Sequence, residues 1–198
     1  MKVLKSVALA LALVVFAGLP VAAKASAEIA GVKFEDRYVL SGQPLVLNGA
    51  GLRVKMIVKV YAVALYLPGK DRVAATALMQ AGAKSVHIVM LRDVEGHELS
   101  NGLIKGMVKN LGPLEIAALQ ERIEELDKSL KSTGGVKKGD LVQLDFVPTT
   151  GTHVSLNGAA LGKDITGDDF YRGLMKIWLG ENPGDDRLKA DLLGAASR

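Results

Sequence analysis

The sequence predicts an α+β fold in which an antiparallel β-sheet packs against a cluster of helices. Two observations lead to this prediction. Short stretches of alternating apolar and polar residues follow one another through tight turn signals, which is typical of antiparallel strands. The helical patterns, in contrast, are grouped in two parts of the chain, residues 97–135 and 166–194. No internal repeat or linker interrupts the order, which favours a single domain.

The N-terminal residues have the layout of a secretory signal peptide. Two lysines precede an apolar core that ends at Pro20, and Ala25-Ser26-Ala27 supplies the small residues of a cleavage site. The core is short for a membrane span, although a retained membrane anchor is the alternative. We therefore predict residues 1–27 as a cleavable signal peptide, residues 28–198 as one mature domain, and the periplasm as its location, without a stable membrane span.

Composition argues against several functional classes. Residues 1–27 hold three lysines and no acidic residue, so residues 28–198 carry 22 Lys and Arg against 21 Asp and Glu. A net charge near +1 gives no reason to expect nucleic acid or an anionic membrane surface as a partner. Because the chain has no cysteine, it has no disulfide, thiolate nucleophile or zinc–thiolate site.

The N-terminal half of the mature chain reads as β-strands. The turn signals Ser41-Gly42-Gln43-Pro44 and Asn48-Gly49 predict several short strands before residue 52. The apolar alternation from Leu52 to Leu67 then predicts one long strand. Its even-numbered positions from Val54 to Ala64 are all apolar, so we expect that face to be buried. The odd-numbered face is mixed, as expected beside solvent or a cleft.

The second half of the chain alternates between strands and helices. Residues 84–93 predict a further strand. Apolar residues at spacings of three and four then predict one helix over residues 97–112 and another over 113–135, which Gly134 and Gly135 end.

The remaining elements are a hairpin and two helices. Residues 140–148 and 152–158 predict the hairpin, and Asn157-Gly158 turns the chain again. A capping pattern from Thr166 to Asp169 begins a helix over residues 166–183, and residues 185–194 form a short last helix.

Residue patterns that mark catalytic or metal sites are not evident in the sequence. The histidines, His87, His97 and His153, do not stand at metal-ligand spacing from one another. The acidic doublets fall at predicted helix starts or on a solvated helix face. No serine has the context of a nucleophile elbow, and no phosphate loop is present. We therefore predict neither a metal site nor a cofactor.

Two glycines weaken the first predicted helix. Gly102 and Gly106 lie one turn apart in residues 97–112, and each costs about 1 kcal/mol relative to alanine. They indicate either close packing of this helix on the sheet or space that is left for a ligand. Lys105 and Lys109 on the same helix are interpreted as solvated.

Arg53 stands at the start of the apolar run after Gly49-Ala50-Gly51, which reads as a turn. A surface position is one interpretation. The other is a partly buried guanidinium at the floor of a cleft, satisfied by a bound carboxylate or enolate, which its planar fork fits. Tyr61 has the same parity as Arg53, but eight residues of extended strand span about 26 Å. Both side chains could reach one ligand only if the strand folds back or bends.

Three stretches of the chain resemble the chalcone isomerase fold family, in its bacterial exported chalcone isomerase-like branch. They are the Gly-x-Arg start at Gly51-Leu52-Arg53 followed by KVYAVALYL, the helix pair after VMLRD, and the helix end WLGENP. The resemblance extends over residues 29–194. It implies the chalcone isomerase-like fold, an open antiparallel β-sheet with helices packed on one face.

The resemblance also assigns candidate site residues. In the plant enzymes an arginine holds the substrate phenolate and stabilises the developing enolate, and Arg53 matches it. Tyr61, Leu99, Gly106 and Ile177 fall where those enzymes carry threonine, tyrosine, asparagine and a threonine or serine. The polar network that positions the flavonoid is therefore missing, which argues against efficient chalcone cyclisation because transition-state stabilisation needs several preorganised donors.

The fatty-acid-binding branch of the family is more similar. There an arginine and a tyrosine hold the fatty-acid carboxylate, and Arg53 and Tyr61 match both. The cleft wall would then be formed by Leu99, Gly106 and Ile177. Gly102 is a further candidate ligand-binding residue, because the missing side chain would leave space for a ligand. The resemblance thus implies a periplasmic protein that binds a small amphipathic carboxylate such as a fatty acid, and favours a binding protein over an enzyme. Two alternatives stay open: an isomerase or intramolecular lyase with Arg53 as electrophile, and a protein-interaction or assembly module. The oligomeric state also stays open.

Overall fold

The structure is a computed structural model that describes residues 25–195. The predicted signal peptide therefore lies outside the described residues, apart from its last three positions. The strands are β1 Ala25–Ile29, β2 Val32–Glu35, β3 Arg37–Leu40, β4 Gln43–Lys55, β5 Val58–Leu67, β6 Lys84–Met90, β7 Val94–Glu95, β8 Gly135–Val136, β9 Leu141–Val147, β10 Gly151–Leu156 and β11 Ala159–Ala160. The helices are α1 Ala74–Met79, α2 Gly96–Val108, α3 Pro113–Lys131, α4 Asp168–Leu179 and α5 Asp186–Leu192.

The main sheet has seven antiparallel strands in the order β11-β10-β9-β6-β5-β4-β3. It is curled, because the Tyr38 hydroxyl on β3 donates to Asp145 Oδ2 on β9 at 3.1 Å, although three strands lie between them. All five helices contribute to the hydrophobic core on one face, and none contributes to the smaller core on the other. The predicted α+β fold, an open antiparallel sheet with helices on one face, is confirmed.

Both faces of β5 are buried, which explains why this strand is almost entirely apolar. Its odd-numbered side chains, such as Val63 and Leu65, lie in the core on the helical face. Its even-numbered side chains, such as Ala62 and Ala64, lie in the second core, which the β1–β2 hairpin covers through Phe34. The expected burial of the even-numbered face is therefore correct for Ala62 and Ala64, but Val60 is only half-buried, and Met56 and Val58 are exposed.

The predicted single strand from Leu52 to Leu67 is wrong, because the chain turns back at Met56 and Ile57. β4 ends at Lys55 and β5 begins at Val58, and the two strands pair with each other. Met56 has a positive φ of 58°, and both turn side chains are exposed. The sequence pattern missed this hairpin because neither turn residue is Gly, Asn, Asp or Pro, and the apolar alternation continues through the turn.

The turn predicted at Asn48-Gly49, and extended by the interpretation of Gly49-Ala50-Gly51, is also wrong. These residues lie inside β4, where the register against β5 is irregular. Asn48 donates from Nδ2 to the Leu192 carbonyl at 2.7 Å. A Cβ on Gly51 would lie 2.6 Å from Leu188 Cδ1. Asn48 and the two glycines therefore serve the contact between β4 and α5, because backbone atoms of α5 closely approach Gly49.

The helices agree with the sequence prediction except at two places. α1 was not predicted, because six residues are too short to show a helical period. The predicted cap by Thr166 is wrong, since α4 begins after Gly167 (φ 99°) without a side-chain cap. Asp169 instead accepts hydrogen bonds from both terminal nitrogens of Arg122, at 2.7 and 2.9 Å. Within residues 25–195, we find no helix with the length and hydropathy needed to cross a bilayer.

Candidate functional site

A cleft of about 530 Å³ opens on the helical face of the sheet, between β4, β5 and helix α2, with parts of α4 and α5 closing its far side. The six residues predicted from the sequence all line it: Arg53, Tyr61, Leu99, Gly102, Gly106 and Ile177. The structure therefore brings together side chains and backbone from four separate elements of the chain.

Arg53 and Tyr61 are direct partners in the ladder between β4 and β5. Directly opposed residues of an antiparallel pair have Cβ atoms about 5 Å apart on the same face of the sheet. The separation of about 26 Å that a continuous strand would put between Arg53 and Tyr61 does not apply, because the hairpin folds Tyr61 back beside Arg53. A β-bulge follows at once between Arg53 and Val54, and bulges often re-aim side chains next to binding sites.

Arg53 is held in the cleft by the segment that precedes α5. Its Nη1 donates to the Gly184 carbonyl at 2.5 Å and lies 3.6 Å from Asp185 Oδ2. The side chain is one quarter exposed, 25%. Arg53 is therefore partly buried in the cleft, as the second interpretation expected, but it already has partners within the chain. Within residues 25–195, the hydrogen bond from Nη1 is the one that Arg53 makes through its side chain, which leaves Nε and Nη2 without a described acceptor.

The two carboxylate oxygens of Asp185 have different partners. One oxygen, Oδ1, accepts from the Leu188 backbone N–H at 3.1 Å and caps α5. The other faces Arg53. Gly184 leaves room for this arrangement, because a Cβ there would lie 3.0 Å from Arg53 Nη2. From the sequence, we expected Asp185 and Asp186 only to interact with the dipole of α5. Asp185 also lies against the Arg53 guanidinium.

The Tyr61 hydroxyl is the second polar group in the cleft. Its oxygen accepts a hydrogen bond from Trp178 Nε1 at 3.1 Å. Burial raises the pKa of Tyr61, and the Trp178 hydrogen bond and the Arg53 charge offset this only partly. The phenol is therefore neutral near pH 7, and its O–H can donate to an anion while its oxygen is held by Trp178.

The two glycines of α2 have different surroundings. A Cβ on Gly102 would meet nothing within 4 Å, so this position opens into the cleft. A Cβ on Gly106 would lie 3.0 Å from Ile177 Cγ2, so this position lets α2 pack closely on α4. The expected open space is therefore found at Gly102, and the expected close packing is found at Gly106, although against α4 rather than against the sheet. Leu99 and Ile177 are buried and form apolar wall.

Cations dominate the rim of the cleft. Lys55, Arg92 and Lys105 line it together with the acidic residues Glu98 and Asp185. Lys105 is exposed, as the sequence interpretation held, but it lies at the rim rather than on a remote face. We find no group of three or more His, Asp or Glu side chains in residues 25–195 that could hold a metal ion.

Sequence reasoning missed the residues that support the two polar groups. Trp178 was placed only within the helix predicted over residues 166–183, and Gly184 was given no role. Trp178 and Tyr61 are 117 positions apart, and Gly184 and Arg53 are 131 apart. No local period or spacing connects residues at such separations, so nothing in the sequence pattern indicated these contacts.

Comparison with known proteins identifies a matching family and a protein with a similar structure. The profile of a family described as chalcone isomerase-like matches residues 26–194. No curated protein is significantly similar to the chain in sequence. The crystal structure of a fatty-acid binding protein from Arabidopsis thaliana, AtFAP1, matches with a TM-score of 0.64 and 16% sequence identity, over 82% of this chain and 92% of that chain. At this identity the match establishes a shared fold.

Proposed function

Since the chain belongs to the chalcone isomerase-like family, we propose that it binds a small amphipathic carboxylate, such as a fatty acid, in the cleft beside α2. Arg53 and Tyr61 receive the carboxylate, and the apolar wall receives the chain. The observation that carries this proposal is the Arg53–Tyr61 pair in a cleft of about 530 Å³, a size typical of small-molecule pockets. The fold shared with a fatty-acid binding protein supports it.

The two parts of such a ligand contribute differently. A charge-assisted hydrogen bond to Arg53 contributes on the order of 1.5–3 kcal/mol. Each methylene buried against the wall adds roughly 0.8 kcal/mol before the entropy of immobilising the chain is subtracted. The anchor therefore selects the head group, while chain burial provides most of the affinity.

Three of the positions that are polar in the plant enzymes lack a polar side chain here. Leu99, Gly106 and Ile177 offer no side-chain donor, so of the five matched positions only Arg53 and Tyr61 could stabilise a developing enolate. We therefore expect no efficient chalcone cyclisation. An absorbance assay with naringenin chalcone would favour the isomerase alternative instead if turnover exceeded the uncatalysed rate and disappeared in Arg53→Ala. Capture of a protein partner by the ligand-free chain would favour the assembly module.

The proposed location is the periplasm, reached through the signal peptide in residues 1–27. The mature chain then begins at or near Glu28, which N-terminal sequencing of the protein from its own cells tests. Cleavage after Ala27 would leave two residues of β1, because that strand extends from Ala25 to Ile29. Detection of Met1 on a membrane-embedded form would contradict the proposal.

Titration calorimetry with a fatty acid and the matching fatty alcohol tests the binding site. We expect Arg53→Ala to weaken the acid by about one to two powers of ten and hardly to affect the alcohol, since only the acid is charged. Arg37→Ala, which removes an exposed arginine from β3, is the matched control. Equal losses for acid and alcohol would show that Arg53 is structural, and no binding to the unmutated protein would end the proposal.

A further inference from the structure

The hairpin tip, residues 55–59 at the turn between β4 and β5, exposes an unusual amount of apolar surface. Seven large apolar side chains are exposed in residues 25–195, and three of them are consecutive at this tip. Met56 is 93% exposed, Ile57 is 94% exposed and Val58 is 44% exposed. Such a cluster on a soluble surface marks an interaction site more often than a scattered apolar residue does.

The fold does not require apolar side chains at Met56 and Ile57. A tight hairpin turn prefers Gly, Asn or Asp, and Met56 adopts a positive φ of 58° that those residues accept more readily. Neither Met56 nor Ile57 belongs to a hydrophobic core or lines the cleft. Polar residues would therefore serve the turn at least as well.

The charge around the hairpin tip has one sign. Lys55 and Lys59 flank the apolar residues, and both are exposed. Over residues 37–70, which include all of β3, β4 and β5, the chain has five basic residues and no Asp or Glu. The near-neutral balance of the mature chain thus hides a local positive surface, and apolar side chains between lysines match the interface of an anionic bilayer.

We propose that the hairpin tip docks on an anionic lipid bilayer. Met56 and Ile57 enter the headgroup region, and Lys55 and Lys59 contact the lipid phosphates. Either contribution alone would give only weak binding, since stable attachment of a peripheral protein takes both apolar insertion and a basic patch.

Docking in this orientation places the cleft next to the membrane. Lys55 belongs both to the hairpin tip and to the rim of the cleft, and Arg53 lies two residues before it on the same strand. An amphipathic carboxylate could then pass between bilayer and cleft. Only this consequence rests on the proposed function; the docking itself does not require a ligand.

A second copy of the chain is a poorer occupant for the hairpin tip. Two tips in contact would bring Lys55 and Lys59 of both copies together, and like charges at an interface are repulsive. A bilayer avoids this problem because it offers opposite charge and a deformable apolar layer.

Vesicle co-sedimentation tests the docking with the protein as its cells process it. The vesicles are fatty-acid-free phosphatidylcholine, alone or in an equimolar mixture with phosphatidylglycerol. We expect Met56→Ser with Ile57→Ser to weaken binding to the mixed vesicles about tenfold. Lys55→Gln and Lys59→Gln should each weaken binding to the mixed vesicles about fivefold and should leave binding to phosphatidylcholine alone unchanged. Added salt should weaken binding of the unmutated protein.

Val39→Ser is the matched control, because Val39 is 64% exposed on β3 and lies at the opposite end of β4 from the hairpin tip. It should bind as the unmutated protein does. Sedimentation that is equal in all variants would overturn the proposal, as would no sedimentation of the unmutated protein. A dimer that the Met56→Ser, Ile57→Ser variant loses, without vesicle binding, would assign the tip to a second copy instead.

The docking and the ligand site can fail separately. In solution, the Met56→Ser, Ile57→Ser variant should keep the fatty-acid affinity of the unmutated protein, because neither residue lines the cleft. Vesicle binding without fatty-acid binding would keep the docking and reject the proposed function. Fatty-acid binding without vesicle binding would do the reverse.

Discussion

At the scale of single residues, Arg53 already has protein partners before a ligand arrives. The sequence argument expected an external anion, because burying an unpaired guanidinium is very costly. Asp185 and the Gly184 carbonyl supply that pairing from within the chain. The partial burial of Arg53 therefore does not by itself demand a ligand. Asp185 lies beside the guanidinium and, under the proposed function, would both orient it and oppose an incoming carboxylate.

The Asp185→Asn variant separates these two effects. The amide keeps an oxygen for the Leu188 N–H, so the cap of α5 should survive, whereas the negative charge near Arg53 is lost. We expect a fatty acid to bind several-fold tighter and the matching alcohol to bind unchanged, by titration calorimetry.

Asp186→Asn is the matched control for this prediction, since it makes the same charge change one residue later on an exposed side chain. An equal gain in fatty-acid affinity in Asp186→Asn would indicate a long-range effect of net charge rather than local competition between Asp185 and the ligand carboxylate for Arg53. A loss of acid binding in Asp185→Asn would instead show that Asp185 is needed to orient Arg53.

At the scale of elements, α2 combines packing and an opening in one helix. Gly106 brings α2 close to Ile177 on α4, while Gly102, one turn earlier, faces open space in the cleft. Sequence reasoning treated the two glycines as one feature, because it could not see what each would touch. Their different surroundings make them a matched pair for experiment.

We expect Gly102→Ala to raise the free energy of unfolding by about 0.5–1 kcal/mol, since alanine is the better helix former and its Cβ meets nothing. Gly106→Ala should gain less or destabilise, because Ile177 must move. Urea unfolding with an unchanged m value measures both. Equal destabilisation by the two variants would contradict the open surroundings of Gly102. Gly102→Leu, which fills the cleft, should weaken both the acid and the alcohol.

At the scale of the whole molecule, the two faces of the sheet differ in chemistry. The helical face holds the larger apolar core and the cleft, while the other face holds a cluster of aromatic and polar side chains. The His87 ring lies 4.6 Å from that of Tyr38 and 4.8 Å from that of Tyr66. Burial lowers the pKa of His87 to about 4. Burial raises the pKa of Asp145, whose carboxylate accepts from Ser85 and Tyr38.

These shifts predict how stability depends on pH. Between its unfolded pKa near 6.5 and its folded pKa of about 4, His87 binds a proton only in the unfolded state. Its contribution is therefore present above pH 6.5 and is lost as the pH falls, by roughly 2–3 kcal/mol at pH 4.5. Asp145 acts in the opposite sense, because its raised pKa stabilises the folded state at low pH and that contribution fades as the pH rises.

Urea unfolding at pH 7 and pH 4.5 checks this prediction. The unmutated protein should lose more stability on acidification than His87→Gln, by the amount assigned to His87. His97→Gln is the matched control, since His97 is exposed on α2 and should behave as the unmutated protein does. Equal acid sensitivity of His87→Gln and the unmutated protein would show that other groups carry the effect.

Sequence alone predicted most of the elements, because a helix or strand with one buried face repeats its apolar residues at a local period. α2, α3, α5 and the β9–β10 hairpin lie close to where their periods placed them. The family resemblance assigned five of the six candidate residues and the glycine spacing added Gly102, and all six line one cleft. How those residues act on a ligand is a proposal that neither period nor placement decides.

Tertiary structure decided the features that join distant parts of the chain. The turn at Met56 and Ile57 lacks turn residues, yet it places Tyr61 beside Arg53. Asn48-Gly49 has the residues of a turn, yet α5 keeps it within a strand. In each case contacts formed across the fold outweigh a local preference of about 1 kcal/mol. Such contacts leave no period in the sequence, and so the environment of Arg53 could be determined only in the folded chain.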